Sequence, residues 1–263
     1  MFSITFNGDN DLPASRMKES RKRMSNSETS GRLSIKVGEA QVAAPSGAAK
    51  SGVQTREGFS PLDVFHISVA RAENLLRIHK AAHGKRSKPE KYLADAHRAA
   101  IVLAVSALDA FVRTFIIHRI RLLVARPAAM PDSLAAKVKT FLKEDGLLEA
   151  ARKSDLLERV EKAFQADFEK RSFQGSRAIA ECIEMVGFPN IFHTIAVKLD
   201  INEELLVQNL DNATQRRHII AHKGDHNLAE NPPSENPIIK SDVEECIKLM
   251  KSIAEQINAL GVA

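Results

Sequence analysis

From Ser60 onward, apolar residues return at the three- and four-residue spacing of amphipathic helices, and turn-forming residues divide them into segments. Ser60-Pro61-Leu62-Asp63 reads as a helix start with proline in the first turn, opening a helix through Val64, Ile67, Leu75 and Ile78. That helix is expected to end near Gly84. The longest one follows, from about Glu90 to Val124, with a broad apolar face of Leu93, Ala100, Ile101, Ala104, Val105, Leu108, Phe111, Val112, Phe115 and Ile116. A face that wide predicts the spine of a core.

Pro127 and Pro131 end the long helix, and shorter helices are expected between Asp132 and Lys170, divided at Gly146 and at Lys153-Ser154-Asp155. Gly175-Ser176 begins a helix through Ile179, Ile183 and Val186, and a short one spans residues 190 to 198. Asp200 is the expected N-cap of the next, with glutamates suited to the positive end of its dipole. A segment from about Asp211 to Lys223 stops where Gly224 supplies a left-handed cap. After a Pro-rich loop, Ser241-Asp242-Val243-Glu244 reads as a capping box. The last helix carries Val243, Ile247, Met250, Ile253, Ile257 and Leu260 on one stripe. The expected fold is all-α, a helical bundle over residues 59–263.

Residues 1–58 have a different texture, rich in Ser, Gly, Lys, Arg and Asn, with a basic cluster from Arg16 to Arg23. Two alternating stretches, around Phe2 to Phe6 and Leu33 to Val37, offer at most a short hairpin, and a lone hairpin is marginal in water. A flexible basic arm is the expectation, with a grip on RNA or on a second protein as the sharper reading.

Composition agrees with helices: no Trp and a single Tyr among 263 residues leave little to build sheets from. The formal charge of +5 suits a nucleic-acid partner but supports one only weakly, because acidic residues are interspersed. Cys182 and Cys246 lack metal-site spacing and read as buried free thiols of a reducing compartment. No signal-like N-terminus and no run of ~18 apolar residues is visible, so a cytoplasmic protein with no membrane partner is expected.

The candidate chemistry lies in Arg216-Arg217-His218-Ile219-Ile220-Ala221-His222-Lys223-Gly224-Asp225. At about 100° per residue, Arg217 and His222 stand roughly 140° apart and flank a groove. Ile219 and Ile220 must face the core, which turns His218 and His222 outward. Arg216 has the looser position, as a solvated charge or a second phosphate contact. An imidazole titrating near neutrality and a permanent guanidinium suffice for RNA cleavage without a metal or cofactor. Arg-x4-His alone is a weak signal, since both residues are common on helix faces.

With its helical surroundings, the segment resembles the HEPN superfamily. The string Arg-His-Ile-Ile-Ala-His, then Lys-Gly-Asp, is similar to the Arg-Asn-x-Ile-Ala-His-Gly form of RiboL-PSP-HEPN and related bacterial domains. The resemblance covers about Pro61 to Leu260, but only Arg217 to Gly224 is of motif quality. It makes Arg217 the motif arginine, His218 the polar position after it, and His222 the motif histidine. Histidine at 218 departs from the commoner asparagine, and Lys223 intervenes before the glycine. The resemblance implies an endoribonuclease whose site is completed by a homodimer, acting as a toxin or anti-phage defence effector. It also implies an antitoxin or sensor subunit, for which the N-terminal arm is a docking element. The rival from another class is a non-catalytic HEPN subunit that binds nucleotides or assembles a complex.

Asp109 in the long helix is either a capped or exposed carboxylate, or a group that reaches the Arg217/His222 groove, as such domains often bring there. Arg113 and Lys223 are the candidate RNA contacts, Arg113 otherwise being a solvated helix face. His218, His222 and His226 recur at four-residue steps, which leaves zinc a minor alternative, although Gly224 should end the helix before His226.

Overall fold

The computed structural model describes residues 60–83 and 91–262. The expected arm over residues 1–58 lies outside them. Ser60 opens the first helix, α1 (Pro61–His83). The Ser60 amide and hydroxyl both donate to the Asp63 carboxylate, and the Asp63 amide donates to the Ser60 hydroxyl. These are the reciprocal bonds of a capping box, with Asp in the acidic position.

Of the apolar positions read along α1, Leu75 packs on the core but the two isoleucines do not. Phe65, Val69 and Ala72 are buried, whereas Ile67 and Ile78 are 60% and 58% exposed. The aromatic ring sets the rotation: Phe65 meets Phe111 edge-on, with centroids 5.9 Å apart. A phenyl ring buries more area than an isoleucine side chain, and the helix turns to bury it.

The long helix α2 (Lys91–Val124) is the spine. Residues Ala100, Ile101, Ala104, Val105, Leu108, Phe111, Val112, Phe115 and Ile116 are all buried, as their spacing predicts. By length and composition its stretch Ala94–Val124 is apolar enough to cross a membrane, although charged residues interrupt it. More than half of its most apolar part is buried inside the fold, as in the core helices of soluble proteins.

After a 3-10 turn at Pro127–Ala129 come α3 (Asp132–Lys153) and α4 (Leu156–Phe168), which form a hairpin laid on α2 through α4. The break inside α3 falls at Lys143, at φ 53° and ψ 173°, and not at Gly146. Ser154, in the left-handed region at φ 55°, divides α3 from α4 as anticipated. Then follow α5 (Ser176–Met185), α6 (Ile191–Leu199) and α7 (Glu203–Lys223), a ribbon of β1 (His226–Asn227) and β2 (Ser234–Glu235), and α8 (Lys240–Val262). Among the described residues the fold is thus eight α-helices with one short two-stranded ribbon. The spine α2 touches α1, α8, α7, α4 and α5.

Two helix starts differ from expectation. Asn202, not Asp200, caps α7, its side chain accepting the Leu205 amide; Asp200 is instead the left-handed residue that ends α6. At α8 the first turn is tied by Asp242 reaching back to Ile239, while Glu244 pairs with Lys240 in place of capping Ser241.

Cys182 and Cys246 are free and buried, and burial pushes their thiols up to about 11 and 12 respectively. Since the thiolate is the nucleophile, both are expected to resist an aromatic disulfide reagent at pH 8. Two thiols should titrate promptly in denaturant; fast labelling of the native protein would contradict this burial.

Candidate functional site

Helix α7 is a single 21-residue helix. The segment read as starting near Asp211 is its second half. Glu203 and Glu204 in the first turn and His222 and Lys223 in the last complement the helix dipole. Leu206, Leu210 and Ala213 face the core. Midway, the Asp211 carboxylate accepts the Ser176 amide at 2.8 Å and the Ser176 hydroxyl at 2.7 Å. An orphan donor at the start of α5 is thus capped from another helix. One turn on, the Thr214 hydroxyl donates to the Gln174 carbonyl at 2.8 Å. These bonds hold the middle of α7 and leave its C-terminal end facing outward.

That outer end carries the imidazoles. His218 and His222 are both exposed, and their rings lie 4.6 Å apart between centroids, tilted by 45°. Four residues is the spacing that places side chains one above the other on a helix. Arg217 is half-buried, and its Nε is enclosed with no acceptor among the described residues. No ion pair within the described residues occupies its guanidinium. Of the two isoleucines expected to face the core, Ile220 packs on it and Ile219 does not join it; Ile220 fixes the outward rotation of the two histidines. Lys223 is exposed at the same end. The arrangement offers two proton-transfer groups and a guanidinium fork with unused donors, which suits a phosphodiester.

Three candidate residues stand elsewhere. Arg216 is neither solvated nor free for phosphate: its side chain is 7% exposed and its Nη1 lies 2.6 Å from the Asp225 carboxylate. Adjacent residues on a helix point about 100° apart, so when Arg217 borders the open face Arg216 must turn inward. Asp109 does not reach the Arg217/His222 groove. It pairs with Arg113 at 2.9 Å and accepts the Phe173 amide at 2.5 Å. Arg113 is correspondingly spent: it donates to the carbonyls of Phe168 and Arg171 and sits over the Phe173 ring at 4.9 Å. The Asp109–Arg113 pair therefore fastens the connection between α4 and α5. As for zinc, His226 lies on β1 beyond the helix end. Among the described residues no three His, Cys, Asp or Glu side chains converge to hold a metal.

What sequence reasoning missed is the environment of Asp225. This residue is fully buried, and it follows Gly224 in the left-handed region, at φ 59° after 63°. Its carboxylate receives Arg98 Nε at 2.6 Å as well as Arg216. Asn236 donates its amide to the Asp225 carbonyl at 2.8 Å and its side chain to the Asp225 carboxylate at 3.2 Å. Burial pulls the Arg98 guanidinium down, but the hydrogen bond and charge of Asp225, with Asp95 and Glu235 beside it, leave it above its ordinary value. The signal available was slight: an acid directly after a helix-ending glycine, its partner arginine 127 residues away.

A family model described as RiboL-PSP-HEPN matches residues 68–259. The match spans most of the chain, from within α1 through α7 and into α8. No curated protein and no solved structure matches the chain.

Proposed function

The chain belongs to the RiboL-PSP-HEPN family of the HEPN superfamily, and on that premise we propose that it is a metal-independent endoribonuclease. Family membership by itself supports a nuclease or RNA-related role. The observation that carries the finer reading is the exposed His218/His222 pair at the end of α7, beside the Arg217 guanidinium, which pairs with no carboxylate among the described residues.

His222, as the neutral imidazole, removes the proton from a ribose 2′-hydroxyl, and the 2′-oxygen attacks the adjacent phosphorus. The Arg217 fork binds the non-bridging oxygens as negative charge accumulates on the phosphorane. The bond from phosphorus to the 5′-oxygen breaks, and that oxygen takes a proton from a second imidazole or a water. The products are a 2′,3′-cyclic phosphate and a 5′-hydroxyl. A homodimer that brings two α7 ends together supplies the second His222, while His218, its tilted ring against that of His222, supports it. Exposed Lys223 contributes charge for the RNA backbone.

In the cell, such an activity requires restraint. We assign it the role of a toxin or anti-phage effector held by an antitoxin or sensor subunit, with the N-terminal arm as the docking element.

The deciding experiment is cleavage of end-labelled RNA in EDTA, followed by analysis of the product ends. Cyclic phosphate and 5′-hydroxyl ends are the expected result. An absence of cleavage by the purified protein would overturn the enzymatic reading and favour a binding subunit. Cleavage abolished by EDTA and restored by zinc would overturn the metal-free mechanism.

A further inference from the structure

We propose that Asp225 is a positioning residue for the site: a buried carboxylate that sets the rotation of the last turn of α7, and with it the aim of Arg217, His218 and His222. This inference rests on the proposed nuclease function, because the site it positions is the one assigned there.

Asp225 is a hub between three elements. Arg98 comes from α2, Arg216 from α7, and Asn236 from the segment after β2. Arg98 also donates to the Asn236 carbonyl at 3.0 Å, and Arg216 to the Pro237 carbonyl at 3.1 Å. The amides of Gly224 and Asp225 both return to the Ile219 carbonyl, so the last turn of α7 is closed by the residue that the two arginines hold. The ends of the clamp lie on either side of the site. Arg216 adjoins Arg217 in the chain, and Asp225 follows His222 by three residues.

A helix pinned only at its middle can rotate or fray over its last turn, where carbonyls lack internal partners. Here a charge-assisted fork fixes both ends of the functional stretch against α2. Asp225 itself is enclosed and touches no substrate. Its effect on chemistry is transmitted through geometry, and catalysis is sensitive to small errors in geometry.

The test compares the full-length wild type with Asp225→Asn at a temperature where both show native helical circular dichroism. Two readouts are taken: kcat and KM for RNA in EDTA, and nitrogen-15 NMR signals of the His218 and His222 rings. The expected result is a kcat lower by roughly 10- to 100-fold, a KM within about threefold, and displaced ring signals in the variant. A residue that only stabilises the fold would lower the melting temperature and leave kcat and ring signals unchanged in the folded protein; that outcome overturns the proposal. If Asp225→Asn does not fold, Arg98→Lys takes its place, keeping the charge but losing the guanidinium that joins Asp225 to the Asn236 carbonyl, with the same expectations. Should the wild type fail to cleave RNA, the proposed function falls, and the ring signals alone judge Asp225: unmoved signals refute it.

Discussion

Arg217→Ala and His222→Ala are each expected to reduce RNA cleavage in EDTA by at least about 100-fold while leaving the melting temperature nearly unchanged. The two losses have different causes. Without His222 the 2′-hydroxyl has no base, and general acid–base catalysis contributes roughly 100- to 10,000-fold. Without Arg217 the phosphorane loses its fork, and removing one such donor costs on the order of 100- to 1,000-fold. Stability should be spared because His222 is exposed and Arg217 forms no ion pair among the described residues. Arg217→Lys should fall between wild type and alanine, keeping the charge while losing the two-pronged geometry. The double variant should lose much less than the product of the single losses, since both groups serve one step. Undiminished cleavage by both alanine variants would remove this site from consideration.

The second large effect is on stability. Asp225→Ala is expected to cost about 3–5 kcal/mol, because it removes the one buried carboxylate that Arg98 and Arg216 share and leaves Arg98 only the more exposed Asp95 and Glu235. For a domain of this size that is a fall in melting temperature of roughly 6–20 °C. Asp225→Asn should cost less, since an amide still accepts hydrogen bonds from a guanidinium. By contrast, Asp95→Ala should shift melting little: its side chain is 73% exposed, where an ion pair is worth about 0–1 kcal/mol. Thermal unfolding of the three variants checks the order, and equal losses at positions 225 and 95 would contradict the clamp. Asp225→Asn is thus the variant suited to kinetics, and Asp225→Ala the one suited to melting.

The helices were legible because burial imposes a period on the chain. The α2 face from Ala100 to Ile116 and the α8 stripe from Val243 to Ile257 could be read directly, since each is long and continuous. Phase was less legible where the stripe was sparse. In α1 the isoleucines suggested one face and Phe65 decided for another, because partner shape is absent from a single helix's sequence. Caps were subject to the same limit. Ser60 and Asp63 cap each other and are only three residues apart, so the pair is visible. The start of α5 is capped by Asp211, which no local pattern reveals.

At the site, the outward face of His218 and His222 follows from the core-facing Ile220 and the helical repeat, so sequence alone determined it. The amphipathic all-helical character and the family resemblance came from the same source, because local periodicity and a contiguous motif survive in one dimension. Charged side chains did not. Asp109, Arg113 and Arg216 each looked available, and tertiary contacts gave every one of them a structural partner. A guanidinium or carboxylate is bonded by whatever approaches it in space, and Arg98 meets Asp225 across 127 residues. Only the folded chain therefore decided which charges brace the motif helix and which, Arg217 among them, stay outside ion pairs with the described residues.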